Sequence, residues 1–146
     1  MVKMKVVVGA DHGGFELKQK IIAFLEEKHV DFHDFGTYSM ESCDYNDAAV
    51  QVAEAVRKGE ADRGILICGT GIGMSIQANK VKGVRAALVH DLFSAKATRL
   101  HNDSNVLTMG GRIVGDEIAK AIVDVWLNTE FSNEERHLRR VNKLEK

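Results

Sequence analysis

The stretch Arg63-Gly-Ile-Leu-Ile-Cys68-Gly-Thr-Gly-Ile-Gly73-Met-Ser75 decides the fold. Its first six residues are short and apolar with no polar alternation, the pattern of a strand buried on both faces. A glycine loop follows, and then a helix is expected over Ile72 to Lys80. The same strand, loop and helix recur along the chain. Lys5-Val-Val-Val-Gly9 is a strand closed by glycine, and Leu17, Ile21, Phe24 and Leu25 mark one face of a helix after it. Val30 to Phe35 predicts a second strand ending at the Gly36-Thr37 turn, and Ala49, Val52, Ala53 and Val56 a second helical face. Val84 to Val89 and Val106 to Met109 predict strands four and five, with a helix over Asp91 to Leu100 between them. Ala119, Ile122, Val123 and Trp126 mark the next helix, and Ser132 to Leu144 a last one, with Ser132 and Glu135 at capping-box spacing. Five βα units and a tail helix imply an α/β fold, a parallel sheet covered on both faces. No linker or low-complexity segment interrupts the chain, so residues 1–146 read as a single domain.

Composition narrows the function. A hydrophobic fraction of 45% and a charged fraction of 28% exclude a disordered chain. Lysine and arginine number 20 against 21 acids, so no global positive field exists to hold nucleic acid, and any anion site is local. Two cysteines, Cys43 and Cys68, do not make a disulfide scaffold and fit a reducing compartment. The first residues run straight into a strand, and no apolar run approaches the ~20 residues of a membrane span. A cytoplasmic protein with a small-molecule partner, and neither nucleic acid nor membrane, is expected.

In open parallel sheets, ligands bind outside the carboxyl ends of the strands. After strand one stands Gly9-Ala-Asp11-His12-Gly13-Gly14, a carboxylate and an imidazole before a helix start. An Asp that merely caps the helix beside a surface histidine would look the same. After strand three, the alternate glycines Gly69, Gly71 and Gly73 let successive N–H groups converge into an anion nest. This is neither a Walker loop, lacking Gly-Lys-Ser/Thr, nor a dinucleotide fingerprint, since Met74 stands where the third glycine belongs. Cys68 lies at the mouth of the nest, whose N–H dipoles favour a thiolate, a usable base or nucleophile. His101-Asn102-Asp103-Ser104-Asn105 reads as a polar loop rich in hydrogen-bonding groups. Arg112 follows Gly110-Gly111, and Arg136 and Arg140 share one face of the tail helix, placed to grip a phosphate from two sides. That face could equally be a solvated basic stripe paired with Glu134, Glu135 and Glu145. His29 and His33 are separated by a turn, and no metal or cofactor motif is present. An acid–base set, a nest for an oxyanion and arginines for a dianion match cofactor-free proton transfer next to a carbonyl, as in aldose–ketose isomerisation.

At this point a family becomes visible. The motifs are Gly9-Ala-Asp11-His12-Gly-Gly14, Asp44-Tyr45, Gly64-Ile-Leu-Ile-Cys68-Gly-Thr-Gly-Ile-Gly73, Ala78-Asn79-Lys80 and Arg85-Ala86. They continue with His101-Asn102-Asp103-x-Asn105, Gly111-Arg112-x-Val114-Gly115 and Arg136-His137-x-x-Arg140-Val141. In order and over the whole chain, they closely resemble the ribose-5-phosphate isomerase B family. The resemblance implies a Rossmann-like three-layer α/β/α sandwich with a five-stranded parallel sheet and a C-terminal helix. It implies interconversion of D-ribose 5-phosphate and D-ribulose 5-phosphate without metal or cofactor. It also implies a homodimer or dimer of dimers whose active sites are shared between subunits. Carried onto this chain, Cys68 is the C2 base and His101 the ring-opening residue, with Thr70 the third catalytic group. Gly69, Gly71, Ile72 and Gly73 hold the enediolate, while Asp11, His12, Tyr45 and Asn102 contact the sugar. His12, Arg112, Arg136 and Arg140 surround the phosphate.

Two departures stand out. Asn46 follows Tyr45 where the family usually has proline, which predicts a looser loop near the sugar. Asn133-Glu134-Glu135 stand where small residues are usual, which predicts a changed approach of the last helix. Isomerases of allose 6-phosphate or galactose 6-phosphate have similar loops. The galactose enzymes use two unlike subunits, whereas the Cys68 and His101 motifs here are complete in one chain, which favours the pentose. A non-catalytic phospho-ligand module of the same fold class, such as a receiver, would want an acid at the end of strand three, where Cys68 stands.

Overall fold

The computed structural model describes residues 3–146. Five strands, β1 (Lys5–Ala10), β2 (Asp31–Asp34), β3 (Arg63–Cys68), β4 (Ala86–Leu88) and β5 (Val106–Gly110), form one sheet. All pairings are parallel, in the order β2-β1-β3-β5-β4. The helices are α1 (Phe15–Glu27), α2 (Tyr45–Arg57), α3 (Ile72–Ala78), α4 (Leu92–Asn102), α5 (Asp116–Leu127) and α6 (Glu135–Leu144).

The side-chain alternation of the strands builds two cores. Val6, Val8, Ile65, Ile67, Leu107 and Met109 point to one face and pack against α1, α5 and Ala95 of α4. Val7, Leu66, Cys68 and Val106 point to the other and pack against α2 and α3. Both faces are apolar, which is why the strands showed no polar alternation in sequence. After β1 the chain leaves toward the first face, and after β3 toward the second. The loops therefore diverge at the carboxyl ends of the neighbouring strands β1 and β3, the place where a parallel sheet offers a ligand site. The close approach there requires glycine: a β-carbon on Gly14 would collide with the Ile67 carbonyl oxygen. The neighbouring loop after β2 is tied down by buried Lys18, whose ammonium meets Asp34 at 2.6 Å, and by the Ala10 N–H bond to the Gly36 carbonyl.

Several elements end elsewhere than the periodicity predicts. β4 is three residues long, because Arg85 N–H is taken by the Asn105 side chain rather than by a neighbouring strand. α3 stops at Ala78, where the Asn79 amide turns to bracket the Ala86 backbone. α4 runs on to Asn102, so His101 and Asn102 stand in its last turn and not in a loop. The Ser132–Glu135 capping box does not form. Asn133 takes a left-handed φ of 59°, so α6 begins only at Glu135, and Ser132 Oγ accepts from Glu134 N–H instead. That left-handed residue is the step a glycine would supply, and asparagine tolerates it. Asn46 does not loosen a loop: it lies inside the first turn of α2 and donates from Nδ2 to Gln77 Oε1 at 2.8 Å, tying α2 to α3. Among the described residues, no helix is long and apolar enough to cross a membrane.

Candidate active site

Two clusters of the predicted residues exist, and one chain does not bring them together. The first lies at the carboxyl ends of β1 and β3. Asp11 is buried, and its Oδ1 accepts from Gly13 N–H (2.9 Å) and Gly14 N–H (3.1 Å). It shapes the turn before α1 but is not the helix cap, which is Gly14. Its Oδ2 has no hydrogen-bond partner among the described residues. His12 accepts the Cys43 N–H on Nδ1 at 3.2 Å, so the neutral ring carries its proton on Nε2. Cys68 is 5% exposed, and its Sγ accepts the Gly71 N–H at 3.0 Å.

Around this sulfur runs the glycine loop Gly69–Gly73. Gly71 has a φ of 78°, and a β-carbon on it would lie 2.7 Å from the Met109 backbone and from Leu88. The N–H groups of Gly69, Thr70 and Gly73 find no acceptor among the described residues. Thr70 is exposed, and its Oγ1 accepts the Ile72 N–H. Arg112 lies over Gly69, with Nη1 3.0 Å from where a β-carbon would stand, and its own N–H donates to the Gly69 carbonyl. Tyr45 lies over Gly73 in the same way, at 2.7 Å. The Ile72 side chain faces outward.

The second cluster lies at the far end of α4. His101 and Asn102 share a groove of about 500 Å³ with Arg136, His137 and Arg140 of α6. Arg136 Nε donates to Glu134 at 3.1 Å, while Arg140 has no acidic partner within ion-pair distance among the described residues. Glu145 is taken by Arg85. The predicted basic face is therefore only partly neutralised. The His-Asn-Asp-x-Asn motif splits in two. Asp103 binds Arg99, and Asn105 spans the Arg85 N–H and the Gly83 carbonyl, so both are structural.

Sequence reading gave His137 no role of its own. It is 7% exposed, and its ring stacks on His101 at 4.7 Å between centroids. Its four-residue spacing from buried Val141 was the available signal that it faces inward. Among the described residues, no group of three or more His, Cys, Asp or Glu is arranged to hold a metal ion.

The clusters are separated by the fold itself. α4 leaves the carboxyl end of β4 and returns the chain to the start of β5, so its last turn is at the opposite edge of the sheet from Cys68. Four residue steps between those edges, at ~3.3 Å each, span about 13 Å.

The family model described as Ribose/Galactose Isomerase matches residues 6–144. Ribose-5-phosphate isomerase B of Escherichia coli (strain K12) is 51% identical over 140 residues, 96% of this chain and 93% of that one. D-erythrulose-4-phosphate isomerase 2 of Mycolicibacterium smegmatis is 42% identical, over 97% of this chain and 95% of its own. Among solved structures, Clostridium thermocellum ribose-5-phosphate isomerase B superposes with a TM-score of 0.95 at 51% identity, covering 97% of this chain and 95% of that one.

Proposed function

This chain belongs to the ribose/galactose isomerase family and is an enzyme, a sugar-phosphate isomerase; from that premise we propose that it interconverts D-ribose 5-phosphate and D-ribulose 5-phosphate. The observation that carries the reading is the loop after the buried Cys68, in which the N–H groups of Gly69, Thr70 and Gly73 have no acceptor among the described residues. Starting from the cyclic aldose, His101 gives a proton to O4 as the C1–O4 bond breaks, and O1 loses its proton to solvent as C1 becomes the carbonyl. Cys68 as thiolate then takes the C2 proton, and the electron pair moves onto O1. The enediolate charge is taken up by the free N–H groups of Gly69, Thr70 and Gly73, electrostatic stabilisation at the site of developing charge. Thr70 passes the O2 proton to O1, Cys68 returns its proton to C1, and the ketose is complete. Asp11, His12, Tyr45 and Asn102 hold the sugar, and His12, Arg112, Arg136 and Arg140 hold the phosphate, fixing the reacting carbons.

This assignment needs two copies of the chain, since Cys68 and His101 lie at opposite edges of one sheet. An apolar surface supports such pairing. Ile72 and Ile76 of α3, Leu88 of edge strand β4, and Leu92 and Phe93 of α4 are all exposed, Phe93 by 81%. A second copy covering them would bring one chain's Cys68 cluster to the other's His101–Arg140 groove, within a single isomerase domain over 1–146 per chain.

The test is conversion of ribose 5-phosphate to ribulose 5-phosphate with a chelator present. Cys68→Ala is expected to lower kcat by roughly 10²–10⁴-fold, the usual worth of a general base. A variant that keeps more than about a tenth of kcat overturns the assignment. The relative that isomerises erythrulose 4-phosphate makes chain length a measured quantity: kcat/KM for that four-carbon ester and for allose 6-phosphate is expected to fall below that for ribose 5-phosphate.

A further inference from the structure

His137 is a buried titratable side chain inside the second cluster for which the reaction above has no use. We propose that it is a positioning residue, a platform that fixes the His101 ring for proton delivery to the sugar ring oxygen. The inference rests on the reading of His101 as the ring-opening group.

Three contacts close a circuit around His101. Ser132 N–H donates to the carbonyl of Leu100, the residue before His101 in α4, at 3.2 Å. Ser132 Oγ lies 2.7 Å from His137 Nδ1, and the same hydroxyl accepts the Glu134 N–H. The His137 ring then stacks on the His101 ring at 4.7 Å, tilted by 38°. His101 itself is exposed in the last turn of its helix, and no hydrogen bond to its ring is formed within the described residues. An unsupported exposed imidazole samples several rotamers, whereas one lying on a fixed ring does not. The platform is fixed because His137 is buried and held at Nδ1.

The charges around the platform agree with this role. The groups facing His137 are Arg136 and Arg140 on its own helix, Glu134 at the helix start and His101 on α4. Burial first, then Arg136, His101 and Arg140 against the opposing Glu134, keep its proton affinity below that of an ordinary histidine. A neutral ring beneath His101 adds no repulsion when His101 carries the proton it is to deliver.

Chemistry supplies a test that separates positioning from folding. With O5 esterified, ribulose 5-phosphate is open-chain, since closure from O4 onto C2 would make a strained four-membered ring. Exchange of its C1 hydrogen with solvent deuterium needs the C1 base and the glycine loop but no ring step. His137→Asn keeps a hydrogen-bonding group and loses the ring; His137→Phe keeps a flat ring. Turnover of ribose 5-phosphate by His137→Asn is expected to fall at least about tenfold, since small misplacement of a catalytic group is costly. Its deuterium exchange into ribulose 5-phosphate is expected to stay within about twofold of wild type, because no ring opening intervenes. His137→Phe is expected to recover most of the turnover. Wild-type turnover in His137→Asn, a proportional loss of exchange, or a Phe variant as poor as Asn would each overturn the proposal. Absence of exchange in the wild type would instead remove the isomerase chemistry assigned to the Cys68 cluster, and this inference with it.

Discussion

Mixing two inactive variants tests the geometry on which the shared site depends. Cys68 pairs with Gly110 and Gly64 with Val106, so the full height of the β3–β5 ladder stands between the thiol and the start of β5. That height is about 13 Å at ~3.3 Å per residue, and α4 delivers His101 at its lower edge. In the proposed reaction the two groups reach C2 and O4 of one sugar, atoms both bonded to C1. No side-chain rotation spans the difference, so the proposed site would take Cys68 from one copy and His101 from the other. Cys68→Ala and His101→Ala are then each nearly inactive alone. Unfolding and refolding an equal mixture gives mixed pairs about half the time if association is random under two-fold symmetry. Every mixed pair has one site carrying both substitutions and one carrying neither. Ribose 5-phosphate turnover is therefore expected to return to about a quarter of wild type. If both residues served the same site from one chain, every site would keep a defect and mixing would restore nothing. Absence of recovery, with mixed pairs demonstrated by mass, refutes the argument from sheet height.

Three further outcomes follow from particular contacts. Arg140→Ala is expected to weaken binding of ribose 5-phosphate by roughly 1.5–3 kcal/mol, the worth of a hydrogen bond to a charged group, and to leave free ribose almost unaffected; equal losses for the two sugars would make the arginine structural. Gly71→Ala forces a side chain into a left-handed conformation, which costs about 1–2 kcal/mol, and also against Met109 and Leu88, so urea unfolding is expected at lower denaturant with kcat greatly reduced; unchanged stability and activity would show that the loop relaxes. His137 has a lower proton affinity folded than unfolded, so the stability it confers is complete above the ordinary value of 6.5 and is lost as pH falls through the lower folded value. Thermal melts from neutral pH downward are expected to show a shallower fall in Tm for His137→Phe than for wild type, and identical slopes would count against burial of a neutral ring.

The order of strands and helices was legible in the chain because burying a parallel sheet on both faces requires continuous apolar strands, such as Val6–Val8 and Ile65–Ile67, between helices with one apolar face. The need for glycine in the loop after β3 was legible too, since Gly71 takes the left-handed conformation that glycine permits. Boundaries were not, because capping depends on partners distant in sequence. Asn79 ends α3 only because Ala86 folds back to it, and Asn133 delays α6 through a backbone angle rather than a side-chain pattern. The candidate site divides along the same line. Side-chain chemistry named Cys68, His101 and the arginines, since residue type and order are local properties. Which of them meet is a matter of through-space distance. Only the folded chain places Asp11, Cys68 and Arg112 at one edge of the sheet and His101, Arg136 and Arg140 at the other. Only the folded chain turns His137 inward beneath His101, because a helix face is chosen by what packs against it.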